Sequence, residues 1–174
     1  LQFKGSERVA AVAEEKGVKR FLLMSALGAS PDPNGSKYMQ AKHLSEQAIK
    51  NTPLDWTIIR PSSLFGDPRG EDRPEFCMML DKLMLSLVPY PKFIPFPAPS
   101  FFTGMNPFDA GNYALSMIHV KDVASLFVKI LEDKETVHQT IELGGNREVT
   151  WNEVVTSIAK ATGRRVIMTP APFF

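Results

Sequence analysis

The sequence predicts an α/β fold built on a parallel sheet with helices against it. Three observations carry this. Helix-like and strand-like stretches alternate from residue 2 to residue 66, joined by short connections. The two strand candidates, VKRFLLMSA (18–26) and DWTIIRPSSLFG (55–66), are apolar runs without polar alternation, as strands covered on both faces require. Between them lie a loop dense in breakers, GASPDPNG (28–35), and a helix candidate over 36–50, so the order is helix, strand, helix, strand.

The elements follow in order. Segment 2–16 carries Val9, Val12 and Ala13 at helical spacing among charges, and Gly17 is a natural helix stop. The first strand candidate ends at Ser25, and the loop GASPDPNG (28–35) is dense in breakers. Helix 36–50 and the second strand candidate follow. Segment 72–88 is apolar and Met-rich and reads as a helix. Prolines rule out regular structure through much of 89–113, whose many Phe and Ile residues fit a packed lid or a partner surface. A helix is expected from about Lys121, with Val123, Phe127, Ile130 and Leu131 as its apolar stripe. QTIELGG (139–145) reads as a strand. Thr150 with Glu153 is a capping box for helix 151–162, Gly163 ends that helix, and RRVIMTP reads as a last strand. This divides the chain into 1–71, 72–115 and 116–174.

Bulk composition narrows the function classes. The 174 residues suffice for one ordinary core, with 44% hydrophobic and 22% charged residues. A net charge of +1 gives no electrostatic footprint for nucleic acid or an anionic membrane surface. Cys77 is the only cysteine, which excludes a disulfide scaffold. His43, His119 and His138 lie at no metal-ligand spacing. No apolar run is long enough to span a bilayer as a helix.

The chemistry concentrates in SKYMQAKHLSEQ (36–47). Tyr38 and Lys42 are four apart and share one helix face. An ammonium beside a phenol favours the phenolate and lowers a pKa that starts near ~10. A tyrosine so tuned passes protons to or from a carbinol or carbonyl oxygen. Ser25 ends the preceding strand, at the side where open α/β sheets bind ligands, and is placed to donate to the same oxygen. Each residue has a plainer reading. Tyr38 and Lys42 would be a half-buried wedge and a solvated charge, Ser25 a loop cap, and Arg60 either a phosphate ligand or one end of a salt bridge.

These residues carry a resemblance. Ser25 with Tyr38 and Lys42, IIRPSSLFG (58–66), IHVKDVA (118–124), and ELGG followed by T-x-x-E are together similar to the extended and atypical short-chain dehydrogenase/reductase superfamily. VKRFLLMSALGAS resembles the atypical group that holds epimerase-like bacterial proteins and the Rossmann-type accessory subunit of respiratory complex I. The resemblance implies the C-terminal half of a Rossmann-like sheet plus a small substrate-side subdomain. It implies Ser25, Tyr38 and Lys42 as a catalytic triad. Tyr38, Lys42, Pro61, Ser62 and Ser63 would contact the cofactor, NAD or NADP. No G-x-x-G-x-x-G occurs in these residues. Together with the start at Leu1, this leads to the expectation that the Gly-rich nucleotide-binding half lies outside the chain.

Two functions follow from the resemblance. One is an NAD(P)-dependent oxidoreductase or nucleotide-sugar epimerase/dehydratase. The other is a catalytically silent nucleotide-binding or assembly subunit of a larger complex, such as complex I. Expected partners are a small-molecule substrate, nucleotide-sugar or quinone-like, and proteins docking through 89–113. The expected location is the cytoplasm or an organellar matrix or stroma, peripheral to a membrane complex.

Overall fold

A computed structural model describes residues 2–66, 95–102, 110–161, 163 and 165–172. The chain divides into two compact units, Leu1–Ser62 with Ile118–Gly144, and Ser63–Met117 with Gly145–Phe174. Their interleaving differs from the three consecutive segments read from the sequence. The reason is strand pairing: residues 139–143 return to the first sheet, while later strands pair within the second unit.

The first unit is a three-stranded parallel sheet in the order β1 (Arg20–Met24), β2 (Asp55–Pro61), β7 (Gln139–Leu143). Helix α1 (Gln2–Glu15) precedes β1, and α2 (Lys37–Lys50) links β1 to β2. The short β6 (Ile118–His119), α3 (Val120–Glu132) and a 3-10 turn (Lys134–Thr136) lead into β7. In the central strand β2, Thr57, Ile58 and Ile59 are consecutive and all 0% exposed, so both faces are covered, as the unbroken apolar run implied. Burying each isoleucine contributes roughly 1.5–3 kcal/mol.

Ala10 of α1 packs with Ile49 of α2 and Leu54, with Phe21, Leu23 and Trp56 against them. The fully buried residue of α1 is thus Ala10, and Ala13 of the expected face packs partly buried beside it. Val9 and Val12, read as its apolar face, are 59% and 53% exposed. The small alanine admits close approach of two helices, which a valine at that position would hold apart. On α3 the stripe is narrower than expected: Val123 and Ile130 are buried, but Leu131 is 53% exposed.

Several ends are fixed by side chains. Ser36 caps α2 by accepting from the Met39 N–H at 3.2 Å. His119 caps α3, its Nδ1 accepting from the Lys121 N–H at 3.1 Å, which matches a structural histidine. The basic start of the first strand also has a purpose. The Arg20 guanidinium donates to the Ile130 carbonyl at the end of α3 (2.8 Å), to Thr136 Oγ1 (2.7 Å) and to the Asp55 carbonyl (2.9 Å).

The second unit includes β3 (Leu64–Phe65), β4 (Phe96–Phe102), β5 (Ala114–Leu115), β8 (Val149–Thr150), α4 (Trp151–Ala161) and β9 (Val166–Pro172). β4 and β9 pair in parallel, and β5 and β8 pair antiparallel. β4 corrects the expectation that prolines rule out regular structure through much of 89–113. Among the described residues β4 and β9 form a two-stranded ribbon, in which both strands are edges. Pro97 and Pro99 are two apart, as are Pro170 and Pro172, so each pair shares one side of its strand. A strand tolerates proline where that side is the unpaired one. The core joins Ala98 to Trp151, Val155 and Ala159, all buried. The capping box forms: Glu153 accepts from the Thr150 N–H at 2.7 Å, and Thr150 Oγ1 accepts from the Glu153 N–H at 3.2 Å. The helix expected over 72–88 and most of 89–113 lie outside the described residues.

Candidate active site

The first turns of α2 are set by sequence. Ser36 opens the helix, and Gln40 holds the breaker loop down by donating to the carbonyls of Asp32 and Gly35, each at 3.0 Å. Tyr38 therefore enters on a fixed first turn and is 46% exposed. One turn later the Lys42 ammonium lies 5.5 Å from the Tyr38 ring centroid and donates to the Met24 carbonyl at 3.2 Å. Met24 is the last residue of β1, so this bond ties the pair to the C-terminal end of a parallel strand. Burial pushes the Lys42 ammonium pKa below its ordinary value. A cavity of about 320 Å³ opens beside it, lined by Gly5, Ser6, Leu23, Met24, Lys42 and Ser45.

Ser25 is 2% exposed, and its hydroxyl is directed at Glu46 Oε1, 2.5 Å away. Glu46 is 0% exposed. Arg60, on the central strand, closes a fork on the same carboxylate, with Nε at 2.9 Å and Nη2 at 2.7 Å. Its remaining nitrogen reaches Glu142 on β7 at 3.1 Å. Burial alone would raise the Glu46 pKa. Hydrogen bonds from Arg60 and Ser25, with the charges of Arg60 and Lys50, outweigh it and leave the carboxyl below the ordinary value. The same contacts, led by the Glu46 hydrogen bond, raise the Arg60 pKa. Of the two readings of Arg60, the salt bridge is the one observed.

The first unit thus holds Ser25, Tyr38, Lys42, Pro61 and Ser62. Pro61 is the buried end of β2, and the Ser62 N–H donates to the Leu143 carbonyl at 2.8 Å. Ser63 opens the second unit and is half-buried. Two residues of the network were not read from the sequence. Gln40 had no pattern to mark it. Glu46 had one: it follows Tyr38 and Lys42 at the same four-residue interval, which places all three on one face of α2.

Comparison with known proteins bears on the fold and on the sequence as a whole. Residues 2–76 match a family model described as NAD(P)H-binding. The mitochondrial NADH dehydrogenase [ubiquinone] 1 alpha subcomplex subunit 9 of Arabidopsis thaliana is 30% identical over 86% of this chain and 32% of its own length. The chain spans about a third of the length of the curated relatives it matches over most of its own residues. An NAD-bound short-chain dehydrogenase/reductase superfamily protein of Agrobacterium tumefaciens superposes with a TM-score of 0.67 at 16% identity, covering 99% of this chain and 62% of that one. The UDP-glucose 4-epimerase of Thermus thermophilus in complex with NAD gives 0.65 at 19%, covering 97% and 56%. The fold is the one that these two NAD-bound proteins share. In sequence the chain is similar to the 1 alpha subcomplex subunit 9 of NADH dehydrogenase.

Proposed function

We propose that the protein binds a nicotinamide dinucleotide, NAD(H) or NADP(H), and acts as an oxidoreductase or nucleotide-sugar epimerase of the short-chain dehydrogenase/reductase type. The observation that carries this is the Tyr38–Lys42 pair, anchored through the Met24 carbonyl to the C-terminal end of β1. The donor chemistry fits the cofactor. An ammonium has three N–H donors and Met24 takes one, so Lys42 keeps capacity for ribose hydroxyls. Bound there, the dinucleotide supplies hydride transfer. Tyr38 would hold or release a proton at its phenol oxygen, helped by the Lys42 charge. Lys42 would orient the ribose, and Pro61 and Ser62 would shape the wall at the end of β2. The second unit would carry the substrate side, and 89–113 a lid or a docking surface.

A second reading keeps the nucleotide and loses turnover: a subunit of a larger complex such as respiratory complex I. Two observations favour it. The curated relatives that cover most of the chain are subunits of NADH dehydrogenase. The Ser25 hydroxyl, expected to serve the substrate oxygen, is held by Glu46. Under this reading the location would be an organellar matrix beside a membrane. No helix among the described residues is long and apolar enough to cross a membrane.

The deciding experiment titrates the native-length protein with NADH and NADPH by fluorescence, then assays it with UDP-glucose and small secondary alcohols. Nucleotide binding with turnover abolished by Tyr38→Phe supports the enzyme. Binding without turnover, together with co-purifying partner chains, supports the subunit. Binding of neither nucleotide overturns both.

A further inference from the structure

Glu46 has no part in the chemistry above, yet it is a fully buried carboxylate bonded to Ser25, one of the three residues expected to work on substrate. Its partners fix the direction of every hydrogen bond in the group. Arginine offers only donors, and an ionised carboxylate only lone pairs. Arg60 covers both carboxylate oxygens with its Nε and Nη2. Between Ser25 Oγ and Glu46 Oε1, 2.5 Å apart, the proton therefore comes from serine. A serine has one O–H. That proton points inward, and Ser25 presents only lone pairs to anything else.

We propose that Glu46 is a positioning residue that makes Ser25 an acceptor, so that the ligand group taken against Ser25 is the hydroxyl of a secondary alcohol and not a carbonyl. This rests on the reading of Tyr38 and Lys42 as a ligand site. The burial of Ser25 limits the contact to a group that closes onto the end of β1. The arrangement also says what reverses it. In Glu46→Gln the amide oxygen must face the donors of Arg60, which leaves the amide NH2 facing Ser25. Ser25 then accepts from the glutamine, and its own O–H turns outward as a donor.

The test has a direct arm and a ligand arm. A hydroxyl proton shared with a buried carboxylate is protected from exchange and gives a downfield proton resonance. That resonance is expected in the wild type and lost in both Ser25→Ala and Glu46→Gln. In the ligand arm, binding of cyclohexanol and cyclohexanone is measured by NMR with saturating NAD+. The wild type is expected to prefer the alcohol by roughly tenfold, about one hydrogen bond to a buried group. Ser25→Ala, which keeps the Glu46–Arg60 pair, should bind the two equally, and Glu46→Gln should prefer the ketone. Should Glu46→Gln fail to fold, the serine variant still decides. Absence of the downfield proton, or a wild type that prefers the ketone, overturns the proposal. A protein that shows the proton but binds no nucleotide instead removes the ligand site on which the alcohol assignment rests.

Discussion

Arg60 closes a two-point fork on Glu46, with 2.9 and 2.7 Å between the heavy atoms, and Glu46 is wholly shielded from water. One strand and one helix are thereby joined through a charge that could not remain inside alone. Because the helix is α2, the register of Tyr38 and Lys42 relative to the sheet depends on this pair.

Removing Arg60 should be costly. Arg60→Met leaves the Glu46 carboxylate buried and unpaired, which costs about 3 kcal/mol or more. Glu142→Ala removes only an exposed partner and should cost less than about 1 kcal/mol. Urea denaturation of both variants gives the comparison. Equal effects would mean that the buried fork does not hold α2.

The pH dependence follows from the same carboxylate. The folded Glu46 pKa lies below its ordinary value, so at acid pH the unfolded chain takes up the proton first. The stabilisation is fully present above the unfolded value of ~4.3 and is lost as pH falls through the lower folded value. Urea midpoints measured from pH 7 down to about 3 should fall on the acid side. The double variant Glu46→Leu, Arg60→Met, apolar on both sides, should show a shallower fall. An identical acid limb in the two proteins would exclude Glu46 as its source.

The sequence disclosed the parts of this protein that repeat at a fixed period or that break structure. The parallel strands showed as unbroken apolar runs, α2 by its breaker loop, and α4 by Thr150 and Glu153. Tyr38 and Lys42 were legible because four residues is one helical turn. Ser25 was legible as a position, but its hydrogen-bond direction was not. That direction depends on Glu46, 21 residues away in sequence, and on Arg60 beyond it. Ala10 was hidden for a related reason. Hydrophobicity marks Val9 and Val12 more strongly, whereas close packing of two helices selects the smaller side chain. The β4–β9 pairing was hidden because proline content argues against a strand until the strand is known to be an edge.

Gly111 makes a sharper test of the second unit. Its φ is +71°, a conformation that side chains disfavour. A Cβ there would collide with Asn152 Oδ1 and Ser100 Oγ. Those atoms are engaged with each other at 2.7 Å, and Asn152 also donates to the Ala110 carbonyl at 2.9 Å. Gly111→Ala should therefore cost at least about 2 kcal/mol, from backbone strain and a displaced asparagine. Thermal melting that shows no loss would mean that this turn adapts.

Variants at Lys42 and Tyr38 test the proposed division between nucleotide binding and proton transfer. The Lys42 ammonium is partly desolvated and spends one donor on the Met24 carbonyl. Lys42→Met keeps the unbranched apolar stem, one atom shorter, but removes every donor and the charge. If Lys42 orients the nucleotide ribose, NADH affinity should fall about tenfold or more, since hydrogen bonds from a charged donor are lost. Tyr38→Phe removes a single hydroxyl and should leave NADH affinity within about fivefold, given a net value near 1 kcal/mol or less for one neutral hydrogen bond. Fluorescence titration of the two variants beside the wild type measures both. A large loss in Tyr38→Phe with none in Lys42→Met would reverse the roles, making Tyr38 the nucleotide contact and leaving Lys42 as a brace between α2 and the end of β1.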